Sequence, residues 1–140
     1  MDKKVELRVI APTMSTNRNP YKFNEEVDMV ILRCTTGDLG VLPGRLPCSM
    51  VLDTGILRII NDDKEKHMAI MGGVAHVNND IVTILSDSAL LPEDIDVEEV
   101  KAKIEEEESA IQNTSDFSQK DKHNAKIKEY KVQLELTKVA

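Results

Sequence analysis

The spacing of apolar residues changes near residue 94, and this change constrains the fold more than any other feature of the sequence. Before it, apolar and polar residues alternate, as in residues 5–9 (VELRV). Successive side chains of a strand lie on opposite faces, so this spacing predicts strands with one buried face. After Pro92 the apolar residues recur every three to four positions, which predicts helices. The chain is therefore expected to be an α+β protein.

Short apolar runs fill the first 90 residues, and residues that favour turns separate them. Turns are predicted at residues 61–63, 72–73 and 78–80, which are rich in Asn, Asp and Gly. Many short strands without an intervening helix predict an antiparallel β-sandwich or flattened barrel over residues 1–90. The predicted strands after the first cover residues 27–34, 50–52, 56–60, 67–71, 74–77 and 81–85.

Residues 91–140 are expected to form an antiparallel hairpin of two helices. Asp96 and Glu99 fit a capping box for the first helix, and either Asp116 or Ser118 can cap the second. Both predicted apolar stripes are thin, so the hairpin must pack against the sandwich or a partner. The stripe residues are Val97, Val100, Ile104 and Ile111 on the first helix, and Ala125, Ile127, Tyr130, Leu134 and Val139 on the second.

Composition argues against several function classes. The 140 residues include two Tyr, two Phe and no Trp, whereas pockets for planar ligands and single-stranded nucleic acid sites are usually lined by aromatic side chains. The net charge of −7 repels a phosphate backbone, so no nucleic-acid partner is expected. No apolar run approaches the roughly 20 residues that span a bilayer, so no direct membrane insertion is expected either.

The charge is distributed unevenly along the chain. Residues 1–94 carry 14 acids and 10 bases, residues 95–112 carry 7 and 2, and residues 113–140 carry 4 and 6. The second predicted helix is therefore basic and can pair with the acidic first helix or with an acidic partner. Its lysines are Lys120, Lys122, Lys126, Lys128, Lys131 and Lys138.

No catalytic or metal-ligating set is apparent in the sequence. The three His and two Cys lack the spacing of a zinc site, and no acid, base and nucleophile combine into a recognisable motif. Cys34 and Cys48 are expected to be reduced and structural. An enzyme is therefore the least favoured class, and neither catalytic residues nor a metal are predicted.

Residues 37–47 (GDLGVLPGRLP) resemble a Gly-rich phosphate loop only superficially, because no Gly-Lys-Ser/Thr ending and no following helix are present. They are predicted to form a tight connection between strands, with Leu39, Val41 and Leu42 packed on the core. Asp38 and Arg45 would then lie on a rigid polar rim suited to docking. The residues predicted to shape this structural loop are Gly37, Gly40, Pro43, Gly44 and Pro47.

The same segment resembles the signature of the epsilon subunit of F-type ATP synthases. Residues 55–59 (GILRI), 71–77 (MGGVAHV) and 82–89 (VTILSDSA) match the family in the same order, and the sandwich followed by a hairpin completes the likeness. The resemblance implies a non-catalytic rotor subunit at the cytoplasmic face of the cell membrane, in a proton- or sodium-translocating enzyme. Its implied partners are the gamma subunit, the c-ring and, through the C-terminal helices, the alpha and beta subunits, whose ATP hydrolysis it restrains.

The resemblance also assigns residues, with some departures. It places Asp38 opposite the polar loops of the c-ring, and Arg45 occupies a position where the family usually has His. Residues 14–21 are longer and more polar than expected between the first two strands. Family members that bind ATP use a pattern resembling Ile-Asp-x-x-Arg-Ala, of which only Ile95 and Asp96 are present. Glu99 replaces the Arg, so ATP binding is predicted to be weak or absent and no cofactor is expected.

Two other hypotheses stay open at this point. The hairpin could be an ATP sensor that sets the brake, in which case the isolated chain would bind ATP with sub-millimolar affinity. Without the resemblance, a β-domain with a helical arm could also be a holdase-like adaptor that binds varied clients.

Overall fold

A computed structural model describes residues 3–11 and 21–139 of the chain. It confirms the α+β class, with a β-domain followed by two antiparallel helices. A 3-10 helix, Pro92–Asp94, connects the two parts. The strands are β1 (Val5–Ile10), β2 (Tyr21–Val27), β3 (Met29–Cys34), β4 (Gly37–Val41), β5 (Cys48–Asn61), β6 (Lys64–Asn78), β7 (Ile81–Leu85) and β8 (Ala89–Leu90), and the helices are α1 (Val97–Gln112) and α2 (Phe117–Val139).

The strands pair in the order β2-β1-β7-β6-β5-β3-β4, with β8 added to β6. The pairs are antiparallel except for β1 and β7, which run parallel. Residues buried by this sheet form one core that draws on all eight strands, so the sheet must fold over itself into a flattened barrel. The core consists of Val5, Leu7, Val9, Ala11, Val27, Val30, Leu32, Cys34, Val41, Leu52, Leu57, Ile59, Met68, Ile70, Ala75, Val77, Val82, Ile84 and Ala89.

Bends in β5 and β6 produce this folding. In β6 the residues of the barrel core are Met68 and Ile70 before the bend and Ala75 and Val77 after it, so the inward face changes from even to odd positions. The change takes place at Gly72-Gly73, where φ is 74° and 122°. The prediction of a turn at residues 72–73 is therefore wrong: the glycines bend one continuous 15-residue strand.

Gly73 is the most tightly constrained of these positions. A Cβ at Gly73 would lie 2.2 Å from the backbone oxygen of Leu85, and the residue has a positive φ. Gly73→Ala is therefore expected to lower the free energy of unfolding by about 3 kcal/mol. At Gly40 a Cβ would meet only Met29 Cε at 3.6 Å, so Gly40→Ala is the matched control and should change stability by less than about 1 kcal/mol. Urea denaturation measures both, and equal midpoints for the two variants would contradict the account of the bend.

The two helices begin as the sequence suggests. Asp96 caps α1, since its carboxylate accepts hydrogen bonds from the backbone N–H of Glu98 and Glu99. Asp116 caps α2, because its Oδ1 accepts from the N–H of Ser118 at 3.0 Å. Of the two predicted caps for α2, the structure therefore selects Asp116.

The apolar surface of α2 differs from the predicted stripe. Ala125 is exposed, whereas Leu136, which the prediction omitted, is fully buried. Ile127 is also buried and lies nine residues before Leu136, which is two and a half helical turns. The two side chains therefore leave α2 on opposite sides. One side packs on α1 and the other on β5 and β6 of the barrel, since α2 contacts all three elements.

The outer face of β6 supplies the surface on which α2 packs. Ala69 is fully buried although it alternates with the core residues Met68 and Ile70, so it points away from the barrel core. The hairpin is thus folded down on the barrel. The long segment noted at residues 14–21 lies, except for Tyr21, outside the described residues.

Candidate functional site

The segment predicted as a loop at residues 37–47 is half strand. Residues Gly37–Val41 form β4, which pairs with β3 in a hairpin. Val41 is fully buried and Leu39 is partly buried against the core, as expected. Leu42 is 56% exposed, so the prediction that it packs on the core is wrong. The apolar side chain at position 42 is available at the surface instead.

Asp38 lies on the outer face of β4 and is exposed. It is the register partner of Arg33 on β3, and its Oδ1 lies 3.0 Å from Arg33 Nε. Both side chains are more than half exposed, so the pair contributes little to stability and can be exchanged for another partner. The predicted docking carboxylate is therefore accessible but already paired within the chain.

The loop that carries Arg45 is anchored elsewhere. The backbone N–H of Gly44, a residue with φ of 87°, donates to Asp80 Oδ1 at 2.7 Å. Asp80 belongs to the turn between β6 and β7, and its backbone oxygen accepts from the N–H of Glu6 at 2.8 Å. Leu46, next to Arg45, is 80% exposed. Asp38 and Arg45 thus have separate supports, and the sequence identified Asp80 only as a turn residue.

An exposed apolar row crosses the outer face of the barrel. Val51 pairs with Val74, and Val74 pairs with Leu85, so the three side chains lie side by side on β5, β6 and β7. They are 58%, 49% and 47% exposed, respectively. Adjacent exposed apolar side chains of this kind are typical of protein interaction surfaces. The sequence did not single out these residues, and only the pairing register shows that they are neighbours.

Polar contacts hold the two helices together. Glu107 on α1 pairs with His123 on α2, and its Oε1 lies 3.8 Å from Nζ of Lys126. Lys103 Nζ lies 5.9 Å from the centre of the Tyr130 ring, within the range of a cation–π contact. The predicted attraction between the acidic and basic helices is therefore present at Glu107.

One lysine of the basic helix pairs with the barrel. Lys128 Nζ lies 2.8 Å from Asp53 Oδ1 at the bend of β5. The hydrogen bond from Lys128 lowers the pKa of Asp53, although burial of the carboxyl acts in the opposite direction. The Thr54 backbone N–H and the positive charges of Lys128 and Arg33 lower this pKa further. This pair fastens the hairpin to the barrel. Of the other lysines, Lys120 is half-buried and the exposed ones are Lys122, Lys126, Lys131 and Lys138.

Ile95 and Asp96, the two residues that match the ATP-binding pattern, have structural roles. The Asp96 carboxylate is occupied as the cap of α1, and Ile95 is half-buried. Glu99, at the position of the family's Arg, lies 3.1 Å from Lys103 of its own helix. A phosphate approaching here would meet two carboxylates, and weak or absent ATP binding stays a prediction.

A surface cleft of about 590 Å³ lies between β2, the start of β6 and residues 91–93. Tyr21 and Phe23, two of the four aromatic residues of the chain, line it. Lys22 on β2 pairs with Asp94 of the 3-10 helix at 2.7 Å beside this cleft. The cleft could not be predicted from the sequence, because it depends on how the connection to the hairpin crosses the edge of the barrel.

Two further findings concern the described part of the chain. Neither of its helices is both long and apolar enough to cross a membrane. Within residues 3–11 and 21–139, no three His, Cys, Asp or Glu side chains come together as ligands for a metal ion. Cys34 and Cys48 are free thiols, and burial raises the pKa of Cys34.

Comparison with known proteins matches residues 5–92 to the family described as ATP synthase, Delta/Epsilon chain, beta-sandwich domain. The ATP synthase epsilon chain of Prochlorococcus marinus (strain AS9601) is 36% identical over 127 residues, which cover 91% of this chain and 88% of that one. The chain belongs to the ATP synthase epsilon family.

Solved structures of the family agree with this fold. A chain of the Euglena gracilis mitochondrial ATP synthase, in a structure of OSCP, F1 and c-ring, aligns with a TM-score of 0.73 at 25% identity, covering 96% of this chain and 84% of that one. A chain of the Tetrahymena thermophila mitochondrial ATP synthase, from its central stalk and c-ring, aligns with a TM-score of 0.63 at 16% identity, covering 96% and 97%. The second likeness concerns the fold alone.

Proposed function

We propose that this epsilon chain is a non-catalytic rotor subunit that joins the gamma subunit to the c-ring and restrains ATP hydrolysis through its helices. It would work in a proton- or sodium-translocating ATP synthase, bound peripherally at the cytoplasmic face of the cell membrane. The observation that carries the proposal is the exposed apolar row of Val51, Val74 and Leu85, a docking surface on a barrel that holds no catalytic set among its described residues.

The apolar row is proposed as the gamma contact. A partner that covers these three side chains removes apolar area from water, which is the main driving force of stable association. The rim of Asp38, Arg45, Leu42 and Leu46 is proposed as the c-ring contact. Its charged and apolar groups stand on supported backbone, as a surface that transmits torque requires.

The hairpin is proposed as the brake. It is held to the barrel by one side of α2 around Leu136 and by the exposed pair of Lys128 and Asp53. A second state, in which the helices leave the barrel and contact the alpha and beta subunits, would compete with this docked state. The exposed lysines of α2 would then meet acidic surface on the beta subunits.

Co-purification tests the proposal. A tagged full-length chain is expected to recover gamma and the c-ring in stoichiometric amounts from detergent-solubilised membranes. Recovery of many unrelated proteins without gamma would favour the adaptor hypothesis and contradict the rotor assignment.

A further inference from the structure

Four charged side chains of alternating sign connect Asp38 to the hairpin. Arg33 lies 3.0 Å from Asp38, and Lys128 lies 2.8 Å from Asp53. The two pairs are neighbours because the Arg33 side chain crosses β5 at Gly55, two residues from Asp53. A Cβ at Gly55 would lie 2.7 Å from Arg33 Cγ and 3.5 Å from Nε. Arg33 and Asp53 also line the same small cavity. We call these four residues the ion chain.

The sign of the coupling follows from the charges. Asp38, Arg33 and Asp53 together carry one negative charge, which Lys128 neutralises when α2 is docked. If the charge of Asp38 is removed or taken by an outside cation, the remaining Arg33 and Asp53 carry no net charge. Arg33, no longer held by Asp38, can then lie closer to Asp53 and weaken the attraction of that carboxylate for Lys128, because charges this close are not fully screened by salt.

We propose that the ion chain couples the occupancy of Asp38 to the docking of the hairpin. A basic side chain of a partner that pairs with Asp38 frees Arg33 to compete with Lys128 for Asp53, and this competition favours release of α2. The identity of that partner as a c-ring loop rests on the proposed function. The coupling itself is a property of the isolated chain.

The expected size of the effect is set by the exposure of these groups. All four side chains are 41–56% exposed, and exposed ion pairs of this kind shift an equilibrium by about two- to fivefold. The ion chain would therefore bias the two states of the hairpin without fixing either.

Amide hydrogen exchange of the isolated full-length chain tests the coupling. Asp38→Asn is expected to accelerate exchange in the part of α2 around Leu136 by about two- to fivefold, while amides of β1 and β7 keep their rates. The same substitution in an Arg33→Gln background should have no effect, since Arg33, through which Asp38 acts on Asp53, is absent. Asp63→Asn, which neutralises an exposed acid in the turn between β5 and β6, is the matched control and should leave α2 unchanged.

Three results would overturn the coupling: no change in Asp38→Asn, an equal change in both backgrounds, or an equal acceleration of β1 and β7. None of these depends on a partner. A negative result in the hydrogen-exchange experiment would therefore not affect the test by co-purification with gamma. A failure to recover gamma would likewise leave the hydrogen-exchange result valid.

Discussion

Truncation after Asp94 is expected to raise the ATP hydrolysis rate of the assembled complex about fivefold or more, the lower range of typical allosteric coupling. The truncated chain lacks α1 and α2, and with them every lysine of the proposed inhibitory helix. The barrel should survive this change, because its core residues all lie between Val5 and Ala89. Steady-state hydrolysis by complexes reconstituted with either chain measures the effect.

Two controls make the truncation interpretable. Complexes must contain the truncated chain in the same ratio to gamma as the full-length chain, since a lost subunit would also change the rate. Truncation after Lys138 keeps all six lysines of α2, Leu136 and the Lys128–Asp53 pair, so complexes with this chain should hydrolyse ATP at the full-length rate. If complexes contain the chain truncated after Asp94 in the full ratio to gamma and still hydrolyse ATP at the full-length rate, the hairpin is not a brake.

The change from strands to helices near residue 94 could be predicted because it depends on local spacing. Alternation at residues 5–9 and the cap at Asp96 each report the conformation of a few neighbouring residues. The bend at Gly72-Gly73 could not be separated from a turn, because glycines with positive φ serve both. What keeps β6 continuous is its pairing with β5 on both sides of the bend, a contact between residues distant in sequence.

The apolar face of α2 shows a second limit. A helix packed on one surface has one apolar stripe, and the sequence of α2 was interpreted that way through Ile127, Tyr130 and Leu134. Leu136 lies on the opposite side because α2 is packed between α1 and the barrel. A helix with two partners has two apolar faces, and residue spacing alone cannot assign each face to its partner.

The candidate site also contains features that could be predicted from the sequence and features that could not. Asp38 and Arg45 are both exposed, as expected for polar residues of a segment whose apolar side chains were predicted to pack on the core. The support from Asp80 and the alignment of Val51, Val74 and Leu85 arise only when distant strands pair. Local sequence therefore identified the exposed charges of this segment, whereas only the strand register shows the apolar row.

Val74→Asp is expected to weaken binding of the chain to gamma at least about 30-fold, equivalent to about 2 kcal/mol or more. Val74 is the central member of the apolar row, with Val51 on one side and Leu85 on the other. A carboxylate there would be covered by the partner without a counter-ion, so its desolvation opposes association. Titration of purified gamma with the labelled chain measures the affinity.

Asn78→Asp is the matched control for this substitution. Asn78 is exposed on the same face of β6, four residues further along the strand, and the substitution introduces the same charge outside the apolar row. It should change the affinity less than about threefold, because rim charges contribute little to the strength of an interface. Both positions are exposed in the free chain, so the urea midpoints of the two variants should match. If Val74→Asp binds gamma as well as Asn78→Asp does, the apolar row is not the gamma contact and another face of the barrel must carry it.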